Sequence, residues 1–143
     1  MNIRQATVED ASDLQKINDE YFGETRNYKK EIESKDTLIF LCEDKNKIVG
    51  ISGLKKYVWN NTAWILNIFI LPEMRRKGIA KQLILHIVEE AKKMQVRCIL
   101  AEAPSSGNAP FLFTACKFRK CGYNDRYYTN DGGEIAEFYS FDL

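Results

Sequence analysis

The sequence has no marked excess of charge of either sign. Its 143 residues include 21 Lys and Arg against 20 Asp and Glu, so the formal net charge is +1. A general nucleic-acid-binding protein normally carries a large basic excess. The sequence also lacks an apolar run of the roughly 20 residues that span a bilayer. We therefore expect neither a nucleic-acid partner nor a membrane partner.

Residues that hold metals or form redox centres are scarce. The only histidine is His86, and none of the four cysteines has the two-residue spacing of zinc or redox motifs. Residues 1–20 alternate polar and apolar side chains and include several acids, unlike a secretion signal. The sequence therefore predicts no metal, reduced cysteines and a cytoplasmic location.

The apolar periodicity divides the chain into strands and helices. Strands are predicted at 3–6, 37–43, 47–54, 62–70, 96–101, 118–128 and 134–141, and helices after the N-cap Thr7 and at 28–35, 76–94 and 111–116. This order predicts a mixed sheet with helices on both faces. The length predicts a single domain that spans 1–143.

The most informative stretch runs from 67 to 81, where an apolar strand passes through a basic turn into an amphipathic helix. Free N–H groups and the positive end of the helix dipole make such a junction an anion site. Three successive cations, Arg75, Arg76 and Lys77, add charge, and Gly78 allows a ligand close to the backbone. The pattern indicates a phosphate or pyrophosphate site. On charge alone, a solvated turn is the alternative.

The order of these parts resembles the GNAT superfamily of acyl-CoA-dependent N-acetyltransferases. The acyl-CoA motif of that family is Arg or Gln, two residues, Gly, one residue, then Gly or Ala, and the segment from Arg75 to Ala80 matches every fixed position. The resemblance covers nearly the whole chain. It implies an α/β (α+β) fold with a mostly antiparallel central sheet, helices on both faces and a splayed middle pair of strands. It also implies acetyl-CoA as co-substrate.

The resemblance further implies which residues contact acetyl-CoA. They are Ile68, Phe69, Ile70, Arg75, Arg76, Lys77, Gly78, Ile79, Ala80, Lys81, Asn108, Phe111 and Phe113. The backbone N–H of Ile70 is the implied oxyanion donor. Phe113 stands where the family commonly has a tyrosine assigned to protonate the leaving thiolate, and phenylalanine has no proton to give. It can pack against the pantetheine arm or serve only as core.

The catalytic base has no obvious candidate. Leu66 occupies the place where the family often has a glutamate, which leaves Glu102 and Glu137 as carboxylates on strands near the expected cleft. A partly buried carboxylate can accept a proton directly or through water. An ordinary salt bridge or an exposed position is the alternative for both. His86 is expected on the surface of its helix.

The tail from 118 to 139 has a narrower resemblance to streptothricin-acetyltransferase-like members. Two functions remain open. The first is acetyl transfer from acetyl-CoA to a primary amine of a small molecule or peptide by direct attack. The second is a catalytically weak acyl-CoA-binding sensor or interaction module, since Phe113 and Leu66 replace familiar proton-moving residues. We expect the acceptor near 21–27, 57–60 and the tail tyrosines. A homodimer through the final strands is also allowed.

Overall fold

The computed structural model describes residues 1–143. Seven strands form one sheet in the order β1-β2-β3-β4-β5-β7-β6, and every neighbouring pair except β4 and β5 is antiparallel. The strands are β1 (Asn2–Gln5), β2 (Thr37–Asp44), β3 (Lys47–Tyr57), β4 (Thr62–Ile70), β5 (Cys98–Pro104), β6 (Arg119–Asn124) and β7 (Ala136–Asp142). The helices are α1 (Ala11–Tyr21), α2 (Tyr28–Glu33), α3 (Ile79–Lys93) and α4 (Ala109–Ala115). The predicted fold class is confirmed.

Two predicted boundaries were wrong for reasons of backbone geometry. Helix α3 begins at Ile79 rather than at 76, because Arg76 and Gly78 have left-handed φ angles of 63° and 82° that an α-helix cannot contain. Strand β6 ends at Asn124 rather than at 128. The Oδ1 atom of Asn124 accepts a hydrogen bond from the Arg126 N–H at 2.9 Å, and this Asx turn reverses the chain.

Helix α3 packs its apolar stripe on the sheet. The buried residues of this stripe are Ile79, Leu83, Ile84, Ile87, Val88 and Ala91. At Gly50 of β3 a Cβ atom would lie 3.0 Å from Ile70 Cδ1 and 3.1 Å from Leu83 Cδ1, so the missing side chain lets the helix approach closely. His86 is half-buried and edge-on to Phe40, with ring centroids 5.1 Å apart. It therefore belongs to the helix–sheet packing rather than to the helix surface as predicted.

The two faces of the sheet carry different helices. Phe69 of β4 meets Tyr21 and Phe22 at the end of α1, with ring centroids 4.9 Å apart in both pairs, which places α1 on the face opposite α3. Phe113 of α4 stacks on Tyr139 of β7 at 5.6 Å, and strand registers place Tyr139 on the α3 face. No helix combines the length and apolarity needed to cross a bilayer.

A gap opens in the middle of the sheet between β4 and β5. Their parallel pairing covers only Thr62 to Trp64, opposite Cys98 to Leu100. Just beyond, the β3–β4 register moves from Leu54↔Ile65 to Ser52↔Ile68, so two residues of β4 oppose Gly53 alone. Such a bulge bends and twists its strand, which separates the rest of β4 from β5. The predicted splayed pair is confirmed.

Candidate active site

The edge of β4 that faces the gap presents free backbone groups. The Leu71 N–H donates to Val49 O at 2.9 Å, and paired groups alternate along an antiparallel ladder. The Phe69 N–H is therefore hydrogen-bonded to β3, while the N–H groups of Ile68 and Ile70 point into the gap. The Ile70 carbonyl accepts a hydrogen bond from Arg75 Nε at 3.0 Å. Two amides remain there for an extended ligand.

Six successive backbone amides at the start of α3 have no acceptor in the protein. They belong to Arg76, Lys77, Gly78, Ile79, Ala80 and Lys81, and the first paired amide is that of Gln82, which donates to Gly78 O at 3.1 Å. The first turn of α3 contains no acidic side chain. Because the helix dipole adds positive potential at this end, the loop is suited to an anion such as a pyrophosphate.

Gly78 is needed for its backbone angle and leaves space beside it. With φ at 82°, a side chain would be strained, yet a Cβ atom would meet nothing within 4 Å. The guanidinium of Arg75 lies 5.9 Å from the Phe69 ring centroid and bonds the Ile70 carbonyl, so it braces the loop against β4. Arg76 and Lys77 are exposed and leave their charges available to a ligand.

The predicted contacts from α4 divide into exposed and buried groups. Asn108 and Phe111 lie at the start of the helix, and 77% of Phe111 is accessible. Phe113 is 2% exposed and packs between Tyr139 and Phe118, at centroid distances of 5.6 and 5.3 Å. Phe113 therefore fixes α4 to the sheet.

Glu102 lies on the α1 face, at the mouth of the gap. It follows the last β4–β5 pair, Trp64↔Leu100, by two residues on β5 and lies opposite Phe138 of β7. The Tyr128 hydroxyl donates to Glu102 Oε2 at 2.6 Å. Burial, and then this hydrogen bond to a carboxylate, raise the pKa of Tyr128, so the phenol stays protonated.

Glu137 lies on the opposite face of the sheet, beside α4. Its carboxylate accepts hydrogen bonds from the Tyr139 hydroxyl at 2.6 Å and from Lys120 Nζ at 3.2 Å. The Tyr139 bond is the main cause that lowers the pKa of Glu137, and burial together with this bond raises the pKa of Tyr139 to about 12. The structure therefore does not bring the two predicted carboxylates together.

A cavity of about 280 Å³ lies between the α1–α2 connection and the bulge of β4. Its lining consists of Phe22, Glu24, Arg26, Glu31, Leu66 and Asn67. Arg26 donates to both carboxylate oxygens of Glu31, at 2.9 and 3.1 Å, and lies 4.4 Å from the Tyr28 ring centroid. That ion pair is internally neutral, so Glu24 gives the lining one net negative charge.

Asn67 combines a fixed backbone with an unpaired side chain. Ser52 Oγ, which is fully buried, donates to the Asn67 carbonyl at 2.6 Å and holds the bulge in place. The Asn67 Nδ2 atom is buried without an acceptor, which is uncommon for a buried amide. The sequence placed the acceptor near 21–27 but did not indicate that Glu31 and Asn67 line one cavity, because only the fold brings α2 and the bulge together.

The sequence profile of the Acetyltransferase (GNAT) family matches residues 6–123. The chain belongs to this family. It is therefore a GNAT-family acetyltransferase, as predicted. GNAT acetyltransferases use acetyl-CoA as co-substrate. No curated protein sequence matches the chain significantly.

Solved structures share the GNAT fold over most of the chain. The ribosomal-protein-S18-alanine N-acetyltransferase from Escherichia coli is 20% identical, with 99% of this chain and 93% of that one covered and a TM-score of 0.81. A chimera of the spermidine N-acetyltransferase SpeG from Vibrio cholerae and hSSAT is 19% identical, with coverage of 99% and 96% and a TM-score of 0.82.

A third structure bears on the narrower resemblance. The putative streptothricin acetyltransferase from Bacillus anthracis str. Ames, in complex with acetyl coenzyme A, is 26% identical, with 86% of this chain and 72% of that one covered and a TM-score of 0.75. It supports the streptothricin-like subgroup only weakly. The named acceptors of these GNAT proteins differ from one another. No group of three or more His, Cys, Asp or Glu side chains could hold a metal ion.

Proposed function

We propose that the chain transfers the acetyl group of acetyl-CoA to a primary amine of a small molecule or peptide, and that residues 1–143 act as one acyltransferase domain. The observation that carries the proposal is the set of six unpaired amides at 76–81, beside the open end of the β4–β5 gap. A pyrophosphate on these amides directs the rest of its chain along the free edge of β4.

The proposed acetyl-CoA contacts follow from this direction. The pyrophosphate binds the amides of residues 76–81, with charge from Arg76 and Lys77. The pantetheine arm lies along Ile68 to Ile70, whose outward amides offer the hydrogen bonds that a missing neighbouring strand would otherwise take. Asn108 and Phe111 contact the cofactor from the start of α4. The buried Phe113 supports that helix.

Glu102 is the proposed base and the Ile70 N–H the proposed oxyanion donor. Both lie at the gap, so an amine that enters from the α1 face can lose a proton to Glu102 and attack the thioester carbonyl. The negative charge that develops on the carbonyl oxygen is then stabilised by the Ile70 amide. Glu137 is the weaker candidate, because it lies on the other face and already accepts two hydrogen bonds.

The proposed acceptor is a cationic amine that enters by the cavity at the bulge. The net charge of the lining is one negative, from Glu24. Attraction to a monocationic ammonium group is therefore expected, although an exposed carboxylate such as Glu24 contributes only modestly in water. Leu66 and Phe22 supply an apolar wall beside it.

The test measures thiol release from acetyl-CoA with a panel of primary amines. We expect amine-dependent release that falls strongly in Glu102→Gln and is lost in Gly78→Glu, whose added carboxylate would repel the phosphates. Phe113 has no hydroxyl and so offers no proton donor at that position, which favours a second candidate, an acyl-CoA-binding module without efficient transfer. Tight CoA binding with no thiol release on any amine would support the module and overturn the enzyme.

A further inference from the structure

The connection between β6 and β7 lies on the α1 face of the sheet and carries a row of aromatic rings. Tyr127 is edge-on to Phe138 of β7, and Phe138 is edge-on to Trp64 of β4, with centroids 6.2 Å apart in both pairs. Tyr128 packs edge-on against Tyr127 at 5.0 Å. The row places Tyr128 beside the mouth of the β4–β5 gap.

Hydrogen bonds at both ends hold this connection in place. At its start, Asn124 Oδ1 accepts from the Arg126 N–H at 2.9 Å. At its end, the Glu134 carboxylate accepts from Ser105 Oγ at 2.9 Å and from the Ser106 N–H at 3.0 Å. Because Ser105 and Ser106 directly follow β5, the connection is tied to the strand that carries Glu102. Tyr128 is therefore held relative to that carboxylate.

Tyr128 is the only group in the protein that donates a hydrogen bond to Glu102. The bond occupies Oε2, at 2.6 Å, and leaves Oε1 without a protein partner. The groups around the carboxylate are Tyr127 and Tyr128 from the connection, Phe138 from β7 and Trp64 from β4. No cation forms an ion pair with Glu102. Besides Glu102, the carboxylate whose negative charge raises the pKa of Tyr128 is Glu134.

We infer that Tyr128 is the positioning residue of the base: its hydroxyl fixes one oxygen of Glu102 and leaves the other to the amine. A hydrogen bond donated to a carboxylate favours its charged form, which is the form that accepts the amine proton. The connection between β6 and β7 thus supplies a hydroxyl to the site although Phe113 has none. This inference rests on the proposed function, since it requires Glu102 to be the base.

The test compares steady-state kinetics of Tyr128→Phe with those of Tyr127→Phe, a matched control on the same connection whose hydroxyl makes no hydrogen bond. Loss of a hydrogen bond to a charged group that takes part in the reaction is expected to lower the rate by a factor of roughly 10 to 100. We expect Tyr128→Phe to lower kcat by about that factor, with the KM for acetyl-CoA unchanged. Because the Tyr127 hydroxyl makes no hydrogen bond to Glu102, Tyr127→Phe should lower kcat by a much smaller factor than Tyr128→Phe, and equal losses in the two variants would overturn the positioning role.

A double-mutant cycle separates positioning from an independent effect. Once Glu102→Gln has removed the base, adding Tyr128→Phe should lower the rate by no more than about twofold. Ultraviolet difference titration gives a readout that needs no turnover. The high-pH absorbance change of the unmodified protein should lose the contribution of one phenol in Tyr128→Phe, and that contribution should move to lower pH in Glu102→Gln, since the carboxylate raises the pKa of Tyr128.

The outcomes distinguish the inference from the proposed function. A rate that falls in Glu102→Gln but not in Tyr128→Phe would overturn the positioning role and leave the acetyltransferase intact. Full additivity of the two losses would overturn it as well. Absence of thiol release by the unmodified protein on every amine would overturn the proposed function, and the positioning role with it, whatever the titration shows.

Discussion

Replacing Gly78 by Ala separates the backbone role of this residue from its role beside a ligand. Its φ of 82° is left-handed, and a Cβ atom would meet no protein atom within 4 Å. The left-handed angle costs a non-glycine residue about 1–2 kcal/mol, partly offset by the lower entropy of the unfolded chain. We expect a loss of about 1 kcal/mol in the free energy of unfolding, or roughly 3 °C in Tm for a chain of this length.

The same strain is present in the free protein, and it cancels when binding is measured provided that the loop keeps its conformation in the bound state. Any weakening of CoA binding in Gly78→Ala must therefore come from the Cβ atom against the ligand. We expect at least a tenfold increase in Kd, which is about 1.4 kcal/mol. Isothermal titration calorimetry with CoA measures this change, and thermal unfolding without ligand measures the stability loss.

Gly23→Ala is a matched control. Gly23 has a φ of 64°, and a Cβ atom added to it would also meet nothing within 4 Å, but it follows α1 on the other face. The control should lose a similar stability and bind CoA as the unmodified protein does. If Gly78→Ala bound CoA as tightly as Gly23→Ala, the pyrophosphate could not lie beside Gly78 and the loop assignment would be refuted.

Three further changes test the ion pair at the start of α1, the packing of α4 and the charge of the cavity. The pKa of Asp10 is lowered to about 2, chiefly by hydrogen bonds from Arg4. The ionised carboxylate therefore stabilises the folded protein at pH values above the ordinary pKa of aspartate, and this stabilisation is lost as the pH falls toward 2. Asp10→Asn should therefore lower the free energy of unfolding in urea by roughly 1–2 kcal/mol near neutral pH, with a difference that shrinks in acid. Phe113→Tyr should lower the free energy of unfolding by about 1–3 kcal/mol, since its hydroxyl would be buried against Tyr139; an unchanged denaturation midpoint would mean that the hydroxyl reaches a partner. Glu24→Gln should raise the KM of a cationic amine by a factor of roughly 2 to 5 without changing that of acetyl-CoA, and equal changes for a neutral and a cationic amine would exclude the cavity as the ammonium site.

The order of elements and the basic loop could be predicted from sequence because their signals are local. Apolar alternation marks each strand, and the run from Arg75 to Ala80 carries both its cations and its glycine. The start of α3 was misplaced by three residues because Arg76, unlike Gly78, gives no sequence sign of a positive φ.

The faces of the candidate residues could not be predicted, because strand register decides them. Glu102 and Glu137 look alike in sequence, yet pairing of Ala103 with Glu137 and of Glu102 with Phe138 places their side chains on opposite faces. The bulge changes the β3–β4 register by one further residue, since Leu66 and Asn67 both lie opposite Gly53. The role of Tyr128 depends on a turn within a segment that its aromatic composition predicted to be strand.

Mass spectrometry of primary amines incubated with the protein and acetyl-CoA tests the acetyltransferase function most directly. We predict that at least one amine gains a single acetyl group, with one free CoA thiol released for each, and that Gly78→Glu abolishes both products. Tight CoA binding with no acetylated amine anywhere in the panel would contradict this function.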